Sequence, residues 1–301
     1  MDAGWREEGR EKREEKDKNK NMRKIHVSKI KEAVKELSLK ANFELRKDIL
    51  DALKKAVRKE TNRRARNILK DIIKNAGLAK KKKIAICQDT GIVAVFLEIG
   101  RDVALTGGSL ERAVNDGVRE AYRDGYLRKS VVDDPILRKN TKTNAPSIIN
   151  TEIVEGSGVK IAVSPKGFGS ENKSRIKMFD PTASPEDVKK FIVDTALKAG
   201  PNACPPLILG IGIGGTFDKA AYLAKRALLR PINRPSAAKH VRKLERELYD
   251  DINATGMGPM GLGGKTTVIG VNILEHPTHI AGFPVAVNVS CHATRSAETI
   301  I

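Results

Sequence analysis

Three cysteines are the residues of this 301-residue chain most suggestive of chemistry. They stand in Cys87-Gln88-Asp89-Thr90-Gly91, Asn202-Ala203-Cys204-Pro205-Pro206 and Ser290-Cys291-His292, separated by 117 and 87 residues. Zinc sites and ferredoxin-type clusters usually show closely spaced cysteine pairs, and none exists here. Three unrelated buried thiols are therefore one reading, since free cysteine is among the most buried residue types. Three details favour function. Each cysteine falls at a strand end or turn, where working side chains concentrate. Two adjoin polar or titratable groups, Gln88-Asp89 and His292. Pro205-Pro206 stiffens the backbone beside the third. Three thiolates can hold three irons of a cubic four-iron cluster, leaving a fourth iron free to take substrate oxygens as a Lewis acid.

The cationic residues have a similar double reading. Most Lys and Arg belong to a solvated surface. Arg128, in GYLRKS, and Arg138, in LRKNTKTNAP, lie among hydrogen-bonding groups. A guanidinium binds carboxylate through two parallel bonds, so each could clamp a dicarboxylic acid. His279 lies in HPTHIAGFP, twelve residues before Cys291. A lone histidine is more often structural or surface than catalytic, yet its pKa suits it to protonate a departing hydroxyl near neutrality.

Two Gly-rich stretches invite a nucleotide reading. Gly210-Ile211-Gly212-Ile213-Gly214-Gly215 satisfies G-x-G-x-x-G between a predicted strand and helix. The ribose-binding acid expected ~20 residues on is missing: after Asp218 the next acid is Glu245. A strand–helix turn that makes room for a close backbone contact or another ligand is the favoured alternative. Gly264-Lys265-Thr266 looks like the end of a P-loop, but the first glycine it requires falls at Pro259.

The elements that must position these residues begin late. Residues 1–24 alternate nine basic and seven acidic side chains and are too poor in apolar groups to offset their ordering entropy. They are expected to be a disordered charged extension, with Met22 as the functional start, ahead of a catalytic domain over 25–301. Val27, Ile30, Val34 and Leu37 share one helical face, as do Leu45, Ile49, Leu53 and Val57, and a third helix is predicted over Arg63–Asn75. The pattern then turns strand-like: two short strands in 84–100, a helix over Leu110–Asp124, strands at 151–155 and 159–163, and a loop at 164–174. A helix starts at Ser184 and stops at Gly200-Pro201. Strand candidates follow at 207–213, 266–275 and 284–291, with nothing regular after Cys291. The fold class is mixed α/β (α+β), a helical N-terminal portion followed by a mixed-sheet portion.

Composition bounds the partners. The chain is 40% hydrophobic and 31% charged, which excludes wholesale disorder. Its net charge of +19 favours an anionic partner of some kind. Aromatics at 4% argue against base-stacking nucleic-acid modules. No apolar run reaches the ~18 residues of a membrane span, and the first residues lack a signal peptide's apolar stretch. Three cysteines fit a reducing, cytoplasmic compartment better than a disulfide framework.

Taken together, CQDTG (87–91), NTKTNAP (140–146), PKGFGSENKS (165–174), ACPP (203–206), IGIGGT (211–216), LGGK (262–265) and THIAGFPVAVNVSCHATR (278–295) resemble class I, iron–sulfur, fumarate hydratase and its relative L-tartrate dehydratase. The resemblance covers roughly 25–301. It implies a [4Fe–4S] cluster on Cys87, Cys204 and Cys291. It implies dicarboxylate contacts from Gln88, Asp89, Arg128 and Gly169, and His279, with Asp89, as the catalytic pair assisting the hydroxyl. The long single-chain enzymes continue into a second domain that supplies further arginines, a lysine and the base. This chain therefore resembles an alpha subunit completed by a separate beta subunit in a heterodimer or heterotetramer, with little activity alone. The expected reaction is reversible hydration of fumarate to L-malate, with L-tartrate dehydration the alternative. A basic nucleic-acid-binding protein is the more distant one.

Overall fold

The computed structural model describes residues 22–301. Expectations for 1–21 lie outside the described residues. Regular structure begins at strand β1, Arg23–His26, so Arg23 and Lys24 belong to the fold rather than to the extension assigned to 1–24. Arg23 Nη1 donates to Ser157 O and Ile301 O.

The helical front portion is α1 (Val27–Phe43), α2 (Lys47–Lys59) and α3 (Arg63–Lys82). Ile30, Val34, Ile49, Leu53 and Leu69 are fully buried, so the apolar faces point where their spacing predicts. The third helix runs seven residues past the predicted Asn75. Gly77 does not stop it, because burial of Ile72, Ala76 and Ala79 outweighs the cost of one helical glycine, about 1 kcal/mol. The stop is Lys83, in the left-handed region at φ 50°.

Only one of the two strands predicted in 84–100 forms: β2, Ile92–Gly100. After it come β3 (Val103–Thr106) and α4 (Leu110–Asp124), the latter capped by Ser109. Then β4 (Ile148–Val154) and β5 (Val159–Lys166) follow, with a short helix α5 (Phe168–Glu171) inside the predicted loop and β6 (Arg175–Phe179) after it. Helix α6 (Pro185–Ala199) opens with a reciprocal capping box between Ser184 and Asp187. β7 (Leu207–Gly214), α7 (Phe217–Ala227), α8 (Lys239–Ala254), β8 (Val268–His276), β9 (Phe283–Ser290) and β10 (Ala297–Ile300) complete the chain. The expectation of no strand after Cys291 is corrected: β10 pairs antiparallel with β5, Ala297 opposite Val163.

Two four-stranded sheets share one plan. The first has order β10-β5-β2-β4 and the second β6-β9-β7-β8; β1 and β3 form a separate parallel pair. In each sheet a central strand (β2 or β7) crosses over through helix to a parallel neighbour (β4 or β8). The chain then returns antiparallel on the other side (β5 or β9). The fourth strand of each sheet is lent by the other half, since β6 follows β5 and β10 follows β9. The halves therefore exchange edge strands, a repeat of topology that no sequence period announces.

One face of the first sheet packs on α1 and α4 through Val95, Leu97, Ile161 and Val163. One face of the second packs on α6 and α8 through Leu207, Leu209 and Ile211. Helix α7 lies between the sheets. It meets the second sheet so closely that a Cβ on Gly210 or Gly212 would sit 2.1 Å from Ala224 O or 2.0 Å from Ala220 O. On its other side Tyr222 packs with Ala94, Phe96 and Ala162, while Arg226 pairs with Glu98 and Glu152 of the first sheet. The G-x-G-x-x-G spacing thus serves strand–helix packing, not a pyrophosphate.

Candidate active site

The three cysteines come from loops at the seam where the halves exchange strands. Cys87 precedes β2. Its neighbour Ile86 is pinned at both backbone groups, donating to Asn42 O at 2.9 Å and accepting from Asn75 Nδ2 at 2.9 Å. Cys204 precedes β7 and takes the left-handed conformation, φ 53°, at the end of a 3₁₀ turn over Pro201–Ala203. Cys291 directly follows β9, and its carbonyl accepts from Thr294 N and Oγ1.

Contacts between the loops close the site. Cys291 packs against Ile86, beside Cys87. His292 Nδ1 lies 2.9 Å from Cys204 O. Burial pushes the Cys204 thiol up, and charge on Cys291 and Cys87 raises it further, so the three sulfurs share one electrostatic neighbourhood. Burial also raises Cys291, while Arg295 pulls it back down. All three are free thiols.

The segment 84–91 is irregular because its backbone is claimed by side chains. Asp89 Oδ1 accepts from Gly91 N at 3.0 Å and Oδ2 from Phe168 N at 2.8 Å. Asp89 O accepts from Arg295 Nη2 at 2.7 Å. Tyr122, fully buried, donates to Thr90 O at 2.6 Å. Burial raises its phenol to about 12, so it remains a donor. Asn144 Nδ2 donates to Gly91 O at 3.1 Å while its Oδ1 accepts from Ser130 N, which explains the second asparagine of NTKTNAP. Gly91 is at φ +74°, and a Cβ there would lie 2.5 Å from the Lys166 backbone.

Lys166 closes the floor. It is 4% exposed, and its Nζ donates to Ser170 Oγ and Val289 O, both at 2.8 Å, with Glu171 Oε2 at 3.4 Å. Burial lowers it to about 8 against the upward pull of Glu171. Burial pushes Glu171 up, but Lys225 and Lys166 hold it below the usual carboxylate range.

The structure brings most of the expected residues together. Gln88 is exposed beside Cys87. Arg128 is exposed, with its carbonyl held by Thr90 Oγ1 at 2.6 Å. Gly169 lies against the Cys204 turn, where a Cβ would sit 3.7 Å from Asn202 O. Arg138 stands instead on an exposed excursion closed by the Val132–Asn140 bridge.

His279 is the exception. It precedes β9, whose other end carries Cys291, and its loop is tied by Thr278 Oγ1 to Gly215 O, beyond the far end of β7. Eight residues of strand at ~3.3 Å each put it about 25 Å from Cys291. The expected pairing of His279 with Asp89 is therefore not made within one chain. Sequence reading also missed Tyr122 and Asn42, which lie outside the quoted motifs, and passed over Lys166 and Arg295, which lie inside PKGFGSENKS and at the end of THIAGFPVAVNVSCHATR.

The donor set discriminates between metal groups. Among the described residues, no three His, Cys, Asp or Glu side chains stand close enough together for one metal ion. The three thiols, on loops joined by the His292–Cys204 contact, are the residues that could hold a multi-atom cluster. A buried cation without a carboxylate partner, Arg295, lies beside them. A groove of about 850 Å³ between α1–α3 and β10 is lined by none of the cysteines.

Residues 31–300 match the family described as fumarate hydratase (Fumerase). A Methanocaldococcus jannaschii protein provisionally named L(+)-tartrate dehydratase subunit alpha is 40% identical over 275 residues, covering 89% of this chain and 96% of the relative. The L(+)-tartrate dehydratase subunit alpha of Escherichia coli K12 is 30% identical over 278 residues, 91% of each. That of Shigella sonnei matches equally.

Proposed function

This chain belongs to the fumarate hydratase (Fumerase) family of hydro-lyases, and from that premise we propose that it is the alpha subunit of a two-chain iron–sulfur hydro-lyase acting on a hydroxylated dicarboxylate. The convergence of Cys87, Cys204 and Cys291 carries the reading. The names of the relatives favour L(+)-tartrate over the fumarate–malate pair that the sequence motifs rank first, so tartrate is the substrate proposed here.

Cys87, Cys204 and Cys291 would hold the cluster, which when bound supplies a Lewis acid to the substrate's oxygens. The chain's own residues bind and orient. Arg128 would clamp the far carboxylate in bidentate fashion, and Gln88 would hydrogen-bond beside it, so that alignment costs less entropy at the reacting centre. Asp89, fixed at both oxygens by backbone N–H groups, would handle the proton of the substrate hydroxyl without swinging away. Gly169 leaves space for the substrate at the Cys204 turn. His279 would serve only a site on another copy of the chain. The base that takes the carbon-bound proton would come from the beta subunit. Three free thiols suit a reducing cytoplasm; among the described residues no helix is long and apolar enough to cross a membrane.

Anaerobic co-expression with a candidate beta subunit tests this. The expected result is visible iron–sulfur absorbance, lost in Cys87→Ser, with dehydration of tartrate faster than hydration of fumarate and inactivation in air. Equal activity of aerobic and anaerobic preparations without added iron and reductant would refute it.

A further inference from the structure

Arg295 is 3% exposed and lies beneath the cysteine loops. Its Nη2 donates to Asp89 O and its Nη1 to Asn42 Oδ1 at 3.3 Å, but its Nε has no partner. Among the described residues no carboxylate oxygen comes within the 4.0 Å of an ion pair with its guanidinium. Arg230, another poorly exposed arginine, also leaves its Nε unpartnered, but its charge is met: its Nη2 pairs with the buried carboxylate of Glu245. An unanswered interior charge is costly, and proteins rarely keep one without a counter-ion.

The neighbouring charges do not answer it. Lys166 and Lys225 share the single carboxylate of Glu171. The Asp89 carboxylate lies near Arg295, its Oδ2 and Arg295 Nη2 standing 3.0 and 3.6 Å from the point a Cβ on Gly167 would occupy, but two backbone N–H groups hold it out of an ion pair. Three cations against two carboxylates leave one positive charge in excess around the thiols. Holding Asp89 O and Asn42 Oδ1 does not require a guanidinium, since a neutral amide would satisfy both with no buried charge. Three thiolates around an iron–sulfur cube form a net-negative assembly, which is the missing counter-ion.

We propose that Arg295 is the fixed counter-charge of the iron–sulfur group held by Cys87, Cys204 and Cys291, favouring its retention and raising its reduction potential. The inference rests on the cluster reading above. Arg295 acts through charge across the cysteine loops and is a positioning residue. A nearby positive charge favours the more negative, reduced cluster, so its removal makes reduction harder.

Wild type, Arg295→Gln and Arg295→Lys are co-produced with the beta subunit and reconstituted anaerobically. The readouts are midpoint potential, absorbance loss to a ferrous chelator, and melting of the cluster-free protein. Arg295→Gln is expected to have a lower potential and to lose absorbance several-fold faster, with Arg295→Lys near wild type. Asn42→Asp covers the case in which Arg295→Gln does not fold. A carboxylate beside Nη1 should speed cluster loss, whereas Asn42→Ala, which gives up the same Asn42 Nδ2 bond to Ser38 O without adding a charge, should not. Unchanged potential and loss rate in Arg295→Gln, loss in Arg295→Lys equal to that in Arg295→Gln, or cluster retention unchanged in Asn42→Asp would overturn the inference while leaving the cluster reading intact. Wild type that takes up no cluster overturns both.

Discussion

Tyr122→Phe isolates the scaffold of the Asp89 loop. The lost hydroxyl donates to Thr90 O at 2.6 Å and, more weakly, to Gly91 O at 3.3 Å. Gly91 O keeps its bond from Asn144 Nδ2, so only Thr90 O is orphaned. A buried acceptor left unpaired costs about 1–3 kcal/mol. In a chain of this size that lowers the melting temperature by about 2–5 °C. Because the phenol titrates only near 12, the deficit should be the same at pH 6 and pH 9. Thermal unfolding of the cluster-free full chain, followed by far-UV circular dichroism at both pH values, measures it. A variant that melts within a degree of wild type, or a deficit that changes with pH, would show that the hydroxyl does not hold the loop.

Gly212→Ala should destabilise by about 3 kcal/mol or more in urea titrations, because the new Cβ meets backbone atoms of α7 that cannot yield. Gly77→Ala, with open space around it, should instead stabilise by about 0.5–1 kcal/mol. Lys166 sits near 8 when folded against 10.5 when free, so between those values the unfolded chain holds a proton the folded one has released, and stability at this position rises with pH. Relative to Lys166→Met, wild-type stability should therefore climb by at most roughly 3 kcal/mol from pH 8 to 10.5 in denaturant titrations. His279→Ala should leave the visible spectrum of the reconstituted chain unchanged; loss of the spectrum would place this residue beside its own chain's cysteines.

Helices with local punctuation were legible. Ser109 and the Ser184–Asp187 box place α4 and α6 at their predicted bounds. Where tertiary contacts decide, sequence is silent. Gly77 reads as a stop only to an eye that cannot see Ala76 and Ala79 buried. Ile84 to Gly91 has strand composition, but its partners are Asn42, Asn75, Tyr122 and Arg295, brought from both ends of the chain. The cysteine set could be read from motif resemblance, although no spacing rule joins residues so far apart. His279 shows the opposite error: twelve residues look close, but most of them are extended strand. Lys166 and Arg295 were unreadable as site residues because their importance is burial, which single-sequence composition does not reveal.

The lending of β6 and β10 across the seam also dictates how the molecule assembles in time. Each sheet takes one of its two outer strands from the distant half, and pairing β10 with β5 closes a loop of well over a hundred residues. Such nonlocal closure slows folding relative to a local meander. It also couples the two halves during denaturation, since fraying either border pulls directly on the loop behind Cys291 or on the Phe168 contact to Asp89. Unfolding should follow a single transition, with thiol accessibility appearing in step with loss of both sheets.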